Sequence, residues 1–78
     1  MGASTRRREL PPRLGLPPDY ASRIKAVRHK LGFTQTQLAE RMGVSFASVN
    51  RWENGQSCPS TLAWQKLVLV EQYGLDAL

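Results

Sequence analysis

Two helical signals, each too short to stand alone, meet at Gly43, and that junction constrains this chain more than any other feature. The first opens with Phe33-Thr34-Gln35-Thr36-Gln37-Leu38 and runs to Met42. Thr34 and Gln37 have capping-box spacing, in which each side chain satisfies the other's free backbone N–H, and Phe33 can staple to Leu38 across it. The second opens at Val44-Ser45, with Ser45 as the cap and Val44 facing Val49. It runs to about Asn54, and Gly55 closes it. Helices of roughly eight to ten residues are marginal alone in water, so both must be held by packing on the rest of the chain.

Longer signals lie on either side. Pro17-Pro18-Asp19 predicts a helix start with Asp19 as its side-chain cap; Ile24, Val27, Arg28 and Leu31 share one face, and Gly32 stops the helix. After the polar loop Gln56-Ser57-Cys58-Pro59, a fourth helix is expected from about Ser60 to Tyr73, closed by Gly74. No segment alternates apolar and polar residues as a strand does, so the fold class is all-α. The middle pair has the geometry of a helix-turn-helix unit. Residues 1–18 read as a flexible, basic, Pro-rich tail and residues 19–78 as one helix-turn-helix domain.

Length and charge narrow the function classes. A 78-residue chain has room for one small core and none for a large enclosed active site. Eight of the eleven Lys and Arg fall in residues 1–30, against two of the six acids there, which points to a polyanion contacted from that end. The longest apolar run, Leu67 to Val70, is too short to span a membrane, and the N-terminus lacks the apolar core of a signal peptide. A cytoplasmic location is expected. Cys58 is the lone cysteine and His29 the lone histidine, so neither a disulfide nor a zinc site is expected. His29 has no acidic partner at helical spacing. No nucleophile triad, carboxylate pair or glycine-rich phosphate loop is present, so no enzyme activity, cofactor, metal or small-molecule ligand is expected.

Gln35 through Gly55, QTQLAERMGVSFASVNRWENG, resembles the helix-turn-helix of the lambda-repressor and Cro-like (XRE-type) DNA-binding proteins. Ala39, Gly43 and Val49 stand at the family's small, turn and aliphatic positions, Leu38, Met42, Val44 and Trp52 fill the flanking apolar ones, and Arg51-Trp52-Glu53-Asn54-Gly55 is similar to the usual end of the recognition helix. The resemblance covers about residues 20–74. It implies a compact four- to five-helix DNA-binding domain that reads double-stranded DNA through a helix in the major groove. It also implies a structural ion pair between Arg28 and Glu53.

Helical geometry sorts the third helix. With Val49 at zero and about 100° per residue, Trp52 lies near 300° and Ser45 near 320°, marking the buried side. Ala47, Asn54, Arg51 and Asn50 fall at about 160°, 140°, 200° and 100°, on the face a groove would meet. Arg51 can bridge guanine O6 and N7, Asn50 can read adenine, and Ala47 and Phe46 can meet a thymine methyl, so these are the candidate base contacts. Arg51 could equally follow a phosphate, and Phe46 could equally pack on the core rim. Gln35, in the first turn of the second helix, is placed for a phosphate by free amides and the helix dipole, as its family counterpart is. Ser45, Ser48, Asn54, Gln56 and Ser57 lie around the same edge and are further backbone candidates. Arg6, Arg7, Arg8 and Arg13 either wrap the duplex or stay in solvent.

Leu62, Trp64, Leu67, Val68, Leu69, Val70 and Tyr73 cover more of the fourth helix than one buried stripe requires. The family often has a fifth helix after this point and several members dimerise there, so either a homodimer or a C-terminal partner segment is expected to cover the surplus. The expected function is sequence-specific DNA binding by a transcriptional regulator of the repressor or antitoxin type. The alternative is a DNA-targeting or protein-docking module of a larger multidomain protein.

Overall fold

Side chains that satisfy free backbone amides set where most of the helices begin. The computed structural model describes residues 16–77. Its helices are α1 (Tyr20–Leu31), α2 (Gln35–Met42), α3 (Phe46–Glu53) and α4 (Thr61–Tyr73), followed by a short 3-10 turn at Leu75–Ala77. Among the described residues there is no strand, so the architecture is all-α. None of these helices is long and apolar enough to cross a membrane. Arg6, Arg7, Arg8 and Arg13 lie outside the described residues.

The Thr34 hydroxyl accepts from Gln37 N–H at 3.1 Å and Thr34 N–H donates to Gln37 Oε1 at 2.8 Å, completing the capping box of α2. Ser45 and Ser60 accept from Ser48 N–H and Ala63 N–H in the same way at the starts of α3 and α4. Asp19 departs from this pattern. Its backbone (φ −94, ψ 23) is not extended and its carboxylate makes no capping bond. The entry to α1 is instead a turn in which Tyr20 N–H donates to Pro17 C=O at 3.2 Å and Arg23 N–H to Asp19 C=O at 3.1 Å. Leu16, expected in the tail, is half-buried against the core, so the folded part reaches back across Pro17-Pro18.

Gly43 ends α2 at φ 72, a left-handed backbone that costs an L-residue energy. That turn brings α3 back onto α2. Ile24 from α1, Leu38 from α2 and Val49 from α3 are fully buried, and they cluster with Ala39, Met42, Trp52, Ala63, Trp64 and Leu67. Each aliphatic side chain buried this way contributes about 1.5–3 kcal/mol. Ala39 is buried where α2 and α3 pack, a place that suits a side chain of one carbon. The fourth helix is buried on one side by Ala63, Trp64, Leu67 and Val70. Leu62, Leu69 and Tyr73, 63%, 43% and 72% exposed, share a stripe on another.

Two connections between distant parts had no local signal in the sequence. Arg23 on α1 forms a two-bond ion pair with Glu71 on α4, with Nε to Oε2 at 3.2 Å, while its guanidinium lies over the Trp64 ring at 5.1 Å. Tyr20 OH donates to Ser57 C=O at 3.1 Å, tying the start of α1 to the loop before α4. Burial pushes the Tyr20 phenol above its ordinary value.

Candidate nucleic-acid interface

The N-terminal ends of α2 and α3 and the outer face of α3 form one surface, polar apart from Phe46 and Ala47, and a buried charge pair stands behind it. Arg28 Nε donates to Glu53 Oε2 at 2.7 Å and Arg28 Nη2 to Glu53 Oε1 at 2.9 Å. A third guanidinium nitrogen, Nη1, donates to Phe33 C=O at 3.0 Å. The Glu53 side chain is 1% exposed and that of Arg28 14%. Burial alone would raise the Glu53 carboxyl, but donation from Arg28 and Gln35 outweighs it and holds the group below the usual carboxylate value. Donation to Glu53 likewise holds the Arg28 guanidinium more firmly protonated than usual. This pair fastens α1 to α3.

The outer surface divides into three groups. Phe46, Ala47 and Arg51 are exposed on α3, with Phe46 and Ala47 at its N-terminal end. Gln35, Asn50 and Asn54 are drawn into one chain of side-chain hydrogen bonds that ends on Glu53. Asn50 is consequently half-buried and turned toward α2 rather than standing free on the helix face. Ser45 and Ser48 form a third group, their hydroxyls 2.9 Å apart.

Helical-wheel geometry misplaces Ser45. The residue is exposed, because as the N-cap it lies before the helix proper and its hydroxyl turns back to the Ser48 N–H. Asn54 caps the C-terminal end of α3 and is exposed, as is Gln56, whose N–H donates to Arg51 C=O at 2.8 Å. Ser57 is half-buried and its carbonyl is taken by Tyr20.

Charge is distributed differently from the sequence tally. Two of the cations of α1, Arg23 and Arg28, are each committed to a carboxylate. Lys25, His29 and Lys30 on α1 and Arg51 on α3 are exposed. The Arg23–Glu71 pairing spans 48 positions, beyond any helical or turn spacing that could have announced it.

A model of the helix-turn-helix family matches residues 24–75 of this chain. Among curated proteins, a 42-residue stretch is 45% identical to the type II methyltransferase M1.ScrFI of Lactococcus lactis subsp. cremoris. That match takes in 50% of this chain and spans 11% of the length of the methyltransferase. No solved structure matches the chain.

Proposed function

The chain belongs to the lambda-repressor/Cro-like helix-turn-helix family of DNA-binding domains, and from that premise we propose that α3 is its recognition helix, docked in the major groove of a specific double-stranded site. The observation that supports this most is the exposure of Arg51, Ala47 and Phe46 on a short helix whose opposite side is locked to the core by Val49 and Trp52. Arg51 is the groove-facing cation of α3 and reads guanine, while Phe46 and Ala47 meet thymine methyl groups. The first turn of α2, with Gln35, and the Ser45–Ser48 pair hold flanking phosphates. Asn54, Gln56 and Ser57 follow the same strand. The role is that of a cytoplasmic transcriptional regulator of the repressor or antitoxin type.

A second reading, that this domain targets a larger protein to DNA, draws support from the methyltransferase, in which the similar stretch is a small part of a longer chain. The exposed stripe of Leu62, Leu69 and Tyr73 on α4 offers either a homodimer contact or a seat for such a neighbour. Selection of randomised duplex DNA by the purified chain at near-physiological salt tests both. A palindrome with half-sites about ten base pairs apart supports the dimeric regulator. A single short site supports the module, and recovery of no sequence overturns recognition by α3.

A further inference from the structure

Three side-chain amides on the proposed recognition surface are joined in series to the buried ion pair. Gln35 Nε2 donates to Glu53 Oε1 at 3.1 Å, Asn50 Nδ2 donates to Gln35 Oε1 at 3.1 Å, and Asn54 Nδ2 donates to Asn50 Oδ1 at 3.2 Å. The direction of this series is dictated from its buried end. An ionised carboxylate only accepts hydrogen bonds, whereas a carboxamide carries its donor and its acceptor on opposite sides. Gln35 must therefore turn its nitrogen to Glu53 and its oxygen to Asn50. Asn50 must in turn offer nitrogen to Gln35, which leaves its oxygen for Asn54. A carboxamide free on a surface has no such constraint and can present either sense.

We infer that Glu53 and Gln35 are specificity-positioning residues: the buried carboxylate, acting through Gln35, fixes the sense in which Asn50 and Asn54 present donors and acceptors to DNA. The inference rests on the docking of α3 in the groove, and it gives Gln35 a role separate from any phosphate it holds. Base pairs differ in the order of donors and acceptors along their edge, so a flipped amide reads a different base. The series removes the flip before DNA arrives, so the ordering of these side chains is not charged against binding. Asn50, held from α2 as well as from its own helix, becomes a fixed reader.

Gln35→Met tests this, because it removes the middle amide while leaving the Arg28–Glu53 bonds and the Thr34–Gln37 capping box in place. Side-chain amide NMR on the free full-length chain is combined with selection from randomised duplex DNA, for the native protein and the variant. The expected native result is a through-hydrogen-bond coupling between Asn50 Nδ2 and the Gln35 carboxamide. In Gln35→Met the Asn50 and Asn54 amide signals should move, and preference at one base pair should fall about 5-fold or more. Asn50→Ala, a change outside the core, should lose preference at that same base pair. Unmoved Asn50 signals in Gln35→Met overturn the series, whatever the DNA result. Moved signals with an unchanged selected site overturn its role in specificity. A native chain that selects no site overturns the groove-docking reading and this role with it, while the amide signals separately decide whether the series exists.

Discussion

Arg28 on α1 and Glu53 on α3 face each other through two hydrogen bonds, 2.7 and 2.9 Å long, and the same guanidinium reaches Phe33 C=O at 3.0 Å. The first helix, the connection into α2 and α3 therefore meet at one buried charged node. Replacing one partner leaves the other charge buried and unpaired. Arg28→Met or Glu53→Leu alone should lower the unfolding free energy by about 3–5 kcal/mol, and the double replacement should recover most of the loss. Urea unfolding followed by tryptophan fluorescence measures this, with Trp52 and Trp64 as reporters. A double variant as unstable as the worse single one would show that the node contributes more than charge pairing.

Acid should find the same node. The Glu53 carboxyl titrates below its ordinary value of 4.5 in the folded chain, burial being outweighed by donation from Arg28 and Gln35. Glu71 is lowered as well, by donation from Arg23. A folded-state value below the unfolded one means the unfolded chain binds protons more readily. The stabilisation is thus fully present above the ordinary carboxylate range and is lost as pH falls from there through the lowered folded value. Melting temperature should be flat near neutrality and drop on acidification. In Glu53→Gln the acid slope should be shallower, starting from a lower stability.

Gly43 isolates a backbone effect. Its φ is +72 and an added Cβ would meet nothing within 4 Å, so the cost of Gly43→Ala comes from conformation and not from crowding. The expected loss is about 1–2 kcal/mol, with a smaller loss for Gly43→Asn. Denaturant unfolding should show a lower midpoint with an unchanged slope. A much larger loss would mean that the relative placement of α2 and α3 had shifted.

Base reading and phosphate binding by Arg51 separate in a salt titration. As a guanine reader, Arg51→Ala should reduce discrimination at one base pair by about 5- to 150-fold. As a phosphate contact it would weaken all sequences alike and flatten the salt slope by about one unit.

The basic N-terminal segment has its own test. Because Leu16 packs against the core, removal of residues 1–15 is the cut that takes away Arg6, Arg7, Arg8 and Arg13 while keeping Leu16 in place. If each arginine neutralises a phosphate, the slope of log K against log salt should flatten by about 3–4 units. An unchanged slope would place these arginines off the DNA.

The α4 stripe gives the last prediction. Leu69→Glu puts a charge between Leu62 and Tyr73 on an exposed face, so the fold should melt within about 0.5 kcal/mol of the native chain. Sedimentation should shift from dimer to monomer if a second copy covers the stripe. A native chain already monomeric at high concentration would leave a larger neighbour as the occupant.

Much of this protein is set by short-range rules. Thr34 with Gln37, Ser45, Gly32 and Gly43 act within a few residues of themselves, through caps and left-handed turns, so the sequence alone set the starts of α2 and α3 by their caps and the stops of α1 and α2 at their glycines. Apolar spacing likewise marked Ile24, Leu38, Val49 and Trp52 as core. Asp19 escaped because a carboxylate is equally at home in a turn, and ψ near 23 chose the turn. The exposure of Ser45 escaped because helical angles do not extend to a residue outside the helix. Tertiary structure alone decided that Arg23 belongs to Glu71, that Tyr20 closes on Ser57, and that Gln35, Asn50 and Asn54 point in series toward Glu53. A hydrogen bond depends on a few tenths of an ångström and on the angle between groups brought together by packing, which residue spacing along one helix does not encode.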